Sequence, residues 1–105
     1  MTPGIILTTV SDRATAERMA QALVTEQLAA CINLLPITSI YRWQGELCNE
    51  PEIQLVIKTD LEQFEPVQAR IRELHPYDLP EIVALPIARG STAYLNWMSA
   101  QLQKP

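Results

Sequence analysis

The chain has little of several things that would define a function. Of 105 residues, three are glycine, two are cysteine and one is histidine. No glycine-rich phosphate loop, Walker pattern or G-x-S-x-G is present. The two thiols, Cys31 and Cys48, are too few for a disulfide scaffold. They can make one bridge at most; free thiols and a cytoplasmic location are expected. No Cys-x-x-Cys, His-x-His or His-Glu-x-x-His occurs, so a single chain does not preform a zinc or copper cage. Positive charge is scarce: 8 Lys+Arg against 12 Asp+Glu leave a net charge of −4. Such a chain, with no Lys/Arg cluster, is ill suited to nucleic acid. No apolar run approaches the ~18 residues of a membrane-spanning helix. No basic region precedes the first apolar run, so nothing reads as a secretory signal.

What is present is apolar. Hydrophobic residues make up 48% and charged residues 19% of the chain, which describes one domain, 1–105, with its own core. No internal repeat, low-complexity tract or linker divides it. Residues 4–10 are β-branched and apolar on both faces, as in a buried central strand. Ser11 or Asp12 caps a helix over 13–28, with Ala16, Met19, Ala20, Leu23 and Leu28 on its apolar stripe. Residues 30–35 are strand-like; Pro36 marks a bulge, bend or edge, and strand character resumes over 38–43. The polar stretch 44–51 reads as a hairpin tip, with a strand again over 52–59. Leu61, Phe64, Val67, Ile71 and Leu74 predict a helix over 62–75, delayed by Pro66 and stopped by Pro76. Residues 81–87 form a fourth strand, with Pro86 near its end or on an edge, and 93–102 a terminal helix after Gly90 and Ser91.

The order is β-α-β-β-α-β, then α. This is the α+β, ferredoxin-like βαββαβ sandwich: helices on one face of an antiparallel sheet, with an additional C-terminal helix. Each crossover carries a helix, as parallel neighbours require. The second strand region, 29–43, would approach ~50 Å at ~3.3 Å per residue, against a radius of gyration of ~13 Å for such a domain. Either Pro36 folds the strand sharply or the hairpin projects. A projecting hairpin bearing Ile40, Tyr41 and Trp43 exposes a pairing-ready edge, which a neighbouring subunit would cover most simply. The sheet face opposite the helices also requires cover.

Few residues offer chemistry. His75 falls where the second helix should end, and the dipole there favours the protonated ring. It reads as a metal ligand or acid–base group, or as a helix-terminal side chain bonding the last carbonyls. Cys31 lies on an apolar strand, where a thiol is more often a small core residue than a ligand. Cys48 falls beside Glu46, Glu50 and Glu52, carboxylates expected to be solvated and to attract divalent cations weakly. Tyr41, Trp43, Tyr77, Tyr94 and Trp97 are of a type enriched at interfaces, or else scattered core and rim packing. Lys58, in mid-strand among apolar neighbours, calls for a partner carboxylate or a bound anion. No nucleophile–base pair assembles from spacing, so no enzymatic reaction is expected. RNA-binding users of this fold need aromatic strands and basic surfaces, which are missing. Its metallochaperones need Cys-x-x-Cys after the first strand, where this chain has Thr9-Val10-Ser11-Asp12.

Several blocks together carry a resemblance. They are Leu28-Ala29-Ala30-Cys31-Ile32-Asn33, Ile37-Thr38-Ser39-Ile40-Tyr41-Arg42-Trp43-Gln44-Gly45 and Val56-Ile57-Lys58-Thr59. They continue with His75-Pro76-Tyr77-Asp78-Leu79-Pro80-Glu81-Ile82 and Tyr94-Leu95-Asn96-Trp97. In this order they resemble the CutA divalent-cation tolerance proteins over essentially the whole chain. The resemblance implies a ferredoxin-like protomer and a homotrimer similar in assembly to the PII signalling proteins. It implies a role in divalent-metal tolerance, with copper or another divalent cation as ligand and no obligatory cofactor. It puts Cys31 forward as the thiol for metal, and His75, Tyr41, Trp43, Lys58 and Glu81 near subunit junctions; His75, as the only imidazole, is the second expected metal ligand. The alternative is a PII-like module that binds a small anion or a partner in inter-subunit clefts.

Overall fold

β1 (Pro3–Val10) is the central strand that its two-sided apolar run predicts, flanked by β3 (Glu46–Asp60) and β4 (Val83–Pro86). β2 (Cys31–Trp43) pairs with the other edge of β3, so the sheet order is β2-β3-β1-β4. The computed structural model describes residues 1–103; the last two positions of the expected 1–105 domain lie outside the described residues. Every neighbouring pair is antiparallel. This corrects the expectation that the crossover helices join parallel neighbours: β1 and β2 run alike, but β3 lies between them.

Alternation along these strands divides the sheet in two. Ile6, Val10, Leu55 and Ile57 face α1 (Arg13–Thr25) and α2 (Phe64–Leu74), and with Met19, Leu23, Val67 and Ile71 they form the main core. A smaller cluster of Ala30, Met98 and Leu102 anchors α3 (Thr92–Gln101). Gly4 is required by close packing: a Cβ there would collide with the Leu61 side chain.

The helix ends follow local chemistry. Asp12 caps α1 through the Thr15 amide. α1 stops at Thr25, short of the expected 28, because Gln27 turns left-handed (φ 61°). The amides of Gln27 and Leu28 then return to the carbonyls of Val24 and Leu23, a Schellman closure. Leu28 thus packs on the core from beyond the helix. Pro66 sits in the first turn of α2, after a 3₁₀ turn at Leu61–Gln63.

The hairpin differs most from expectation. The reversal takes only Gln44 and Gly45, both at positive φ (51° and 82°), the two-residue turn that twisted hairpins favour. The stretch 46–51, expected as loop, is strand. Pro36 neither bends nor bulges β2, since the register runs unbroken from Cys31↔Lys58 to Trp43↔Glu46. Pro36 pairs with Ile53, and Pro51 with Thr38, two rows on. Both prolines therefore fall in the same alternating set, whose missing N–H groups point away from the partner strand. β1 covers β3 only from Ile53 onward. Beyond that row the two strands continue alone as a ribbon, and the molecule measures 44 × 26 × 21 Å.

Candidate functional site

The segment after α2 builds a polar cluster where the ribbon leaves the sheet. His75 caps α2 with its backbone N–H on the Ile71 carbonyl, and Pro76 prevents further helix. Its ring turns inward and is 7% exposed. Nε2 lies 2.8 Å from the Thr9 carbonyl, and Nδ1 lies 3.1 Å from the Tyr77 amide nitrogen. A carbonyl only accepts and an amide only donates. The ring is therefore the neutral tautomer with hydrogen on Nε2 and its Nδ1 lone pair engaged. Burial pushes its pKa down, against the opposing pull of the Thr9 carbonyl and the Glu52 carboxylate. This corrects the expectation of a dipole-favoured imidazolium: desolvation outweighs the helix terminus. Its hydrogen bond also crosses to β1 rather than to last-turn carbonyls.

Tyr77 packs edge-on to His75, with ring centroids 4.7 Å apart. Its hydroxyl donates to Glu52 Oε2 at 3.0 Å. Burial, then Glu52, pushes that hydroxyl up to about 12. Tyr41, opposite Cys48 on the ribbon, is also raised, first by burial and then by Cys48, Glu52 and Glu50. The sequence marks Glu52 as a strand terminus and one of the solvated carboxylates near Cys48, and Tyr77 as an interfacial or packing aromatic. Nothing in their spacing signals the bond, which spans 25 residues.

A second group lies near the other end of the sheet. Cys31 and Lys58 are cross-strand partners on the face opposite α1 and α2. Lys58 Nζ sits 5.7 Å from the centroid of Tyr94, which stacks on Trp97 at 5.5 Å. The partner of Lys58 is thus an aromatic face and not a carboxylate. Both cysteines are free thiols. Cys48 lies ten residues before Lys58 on β3, about 33 Å by strand rise, so no bridge between Cys31 and Cys48 forms within the chain.

The remaining expected residues stand apart. Trp43 is half exposed at the ribbon tip, and Glu81 is exposed in the loop before β4. Cys31 lies in the row of Ile5, while His75 bonds at Thr9. Those rows are four residues, about 13 Å, apart. Among the described residues no group of three or more His, Cys, Asp or Glu is placed to hold a metal ion. None of the described helices is long and apolar enough to cross a membrane.

Comparison with known proteins places this geometry in a family. The model of the CutA1 divalent ion tolerance protein family matches residues 4–101. A divalent-cation tolerance protein CutA from Thermus thermophilus is 50% identical over 95 residues, covering 90% of this chain and 92% of that protein. A solved divalent cation tolerance protein from Thermus thermophilus superposes with a TM-score of 0.92 at 46% identity, covering 96% of this chain and 99% of the other. A protein described as the periplasmic divalent cation tolerance protein CutA from Archaeoglobus fulgidus superposes at 0.93 with 34% identity, again covering 96% and 99%. The chain belongs to the CutA1 divalent ion tolerance family.

Proposed function

We propose that the protein serves divalent-metal tolerance as a cytoplasmic homotrimer that binds copper and catalyses no reaction. Family membership supports the cation. The assembly rests on one observation, the uncovered apolar surface. Leu35, Val83 and Leu85 are 42–48% exposed on the open sheet face, and Ile40, Trp43 and Leu47 are 50–78% exposed on the ribbon. Apolar exposure of this extent on a small domain calls for a partner surface. Three copies would also bring together ligands that the described residues of one chain do not group. Cys31 and His75 are the proposed ligands, with Tyr41, Trp43, Lys58 and Glu81 lining the junctions. His75 offers its Nδ1 lone pair to copper by giving up the Tyr77 amide, and Cu(II) suits imidazole with mixed nitrogen and oxygen donors.

The test joins light scattering on a sizing column with copper calorimetry. The expected mass is three times 11.8 kDa; a monomer at micromolar concentration overturns the assembly. Copper binding should fall more in His75→Ala than in Cys48→Ala, with trimer integrity checked in each. No heat from the unaltered protein at millimolar copper overturns the copper reading. Cell fractionation tests the compartment.

Lys58 favours a second reading. Its ammonium has no carboxylate partner among the described residues and stands across from Cys31. A cation at Cys31 meets that charge, whereas a small anion in a PII-like cleft is attracted by it. Thermal-shift screening of metals against nucleotides and organic anions separates the readings, since a ligand raises apparent stability by RT ln(1+[L]/Kd).

A further inference from the structure

The ribbon stands where the sheet no longer supports it. β1 ends its pairing with β3 at Ile53, and Glu52 is the next residue out. From there 37–43 and 46–52 form a two-stranded hairpin, an element that is marginal by itself in water. Among the described residues, one side-chain hydrogen bond joins this ribbon to the rest of the fold: Tyr77 Oη to Glu52 Oε2. Tyr77 is in turn tied through its amide to His75 Nδ1, and His75 through Nε2 to the Thr9 carbonyl near the end of β1. A continuous path of three hydrogen bonds thus runs from the rigid sheet to the first unsupported residue of the ribbon. Removing the Tyr77 hydroxyl interrupts this path at its last step and leaves the buried part, His75 on Thr9, in place.

We infer that Tyr77 is a positioning residue for the ribbon: its bond to Glu52 latches the free hairpin to the sheet and sets the direction in which Tyr41 and Trp43 are presented. The effect on self-association rests on the trimeric reading above; the effect on the ribbon does not. Glu52 is part-exposed, so the latch trims the opening of the ribbon and does not decide whether the domain folds.

Hydrogen exchange read by mass spectrometry tests the latch on the intact chain. In Tyr77→Phe, amides of 37–43 and 46–52 should exchange about three- to tenfold faster, the loss of one charge-assisted hydrogen bond near solvent. Amides of β1 and α2 should be unchanged. Glu52→Gln keeps an acceptor oxygen and should retain most of the protection, while Glu52→Ala should lose it. The double variant Tyr77→Phe/Glu52→Ala should be no faster than the faster single variant. Sedimentation on dilution of the same variants should show self-association weakened in parallel with ribbon exchange. Unchanged ribbon exchange in Tyr77→Phe overturns the inference, as does faster exchange spread evenly over β1 and α2. Equal loss in Glu52→Gln and Glu52→Ala also overturns it. Ribbon exchange that responds as expected in a protein that is monomeric throughout upholds the latch and overturns the trimer instead.

Discussion

The two faces of the sheet come from the same strands and the same alternation, yet they end in different environments. On the helix side Ile6, Leu55 and Ile57 are completely buried, whereas Val83 and Leu85 on the other side remain 48% exposed. α1 and α2 suffice for one face. α3 closes only the end of the other, around Met98 and Ala30. Strands apolar on both faces therefore describe two burials, of which the chain completes one. The ribbon repeats the lesson: its two strands pair with each other, while its apolar side chains Ile40, Trp43 and Leu47 remain exposed.

The largest way to break the comparison is in the completed face. Leu55→Ala should destabilise the domain by about 2–5 kcal/mol in denaturant unfolding, the range for a buried Leu that leaves a cavity. Leu47, 78% exposed on the ribbon, should by contrast tolerate Ala within about 0.5 kcal/mol of protomer stability. Equal losses would mean the ribbon is already part of the protomer's core.

Trp43→Ala probes the incomplete face. It should cost about 2–4 kcal/mol of association if the ring is desolvated by a neighbour, with little change in the unfolding of the isolated protomer. An unchanged dissociation profile on dilution would leave Trp43 a surface residue.

A smaller effect follows from His75. Burial holds its pKa below the ordinary 6.5 in the fold, so below that value the unfolded chain binds the extra proton. The contribution is complete above pH 6.5, declines as pH falls from there toward the folded value, and is then lost. Urea midpoints should therefore drop on acidification through this window, and His75→Gln should flatten the drop. A drop of the same size in the variant would assign it to the carboxylates.

The smallest effect concerns the ribbon turn. Gln44 occupies a left-handed position (φ 51°) that Asn adopts more readily. Gln44→Asn should raise stability by a few tenths of a kcal/mol to about 1 kcal/mol, read as a higher melting temperature. A fall would show that the Gln44 side chain has a role of its own at the tip.

Much of this architecture is legible in the amino-acid sequence. Apolar spacing locates β1, α2 and α3 to within a few residues, because a 3.6 or 2.0 period is a local property. Where spacing misleads, the competing signal is also local. Leu28 fits the stripe of α1 by spacing, but the left-handed turn at Gln27 brings it back onto the core from outside the helix. Residues 46–51 look like loop because three of the six are polar or acidic and one is proline; they are strand because β2 pairs with them. Lys58 is legible as a residue needing a partner, though not that the partner is Tyr94.

By itself the sequence determined the number and order of helices and strands, the split βαββαβ pattern, and the oversized second strand, since each depends on residue type at fixed short spacing. Only the tertiary structure decided that the hairpin projects instead of folding at Pro36, because a proline fits an unpaired edge and a bend equally well. It alone decided that His75 is neutral, because burial against Thr9 and Tyr77 outweighs a helix dipole readable from position. It alone joined Tyr77 to Glu52, because a hydrogen bond between residues 25 apart follows from how the chain closes on itself and leaves no periodic trace in the sequence.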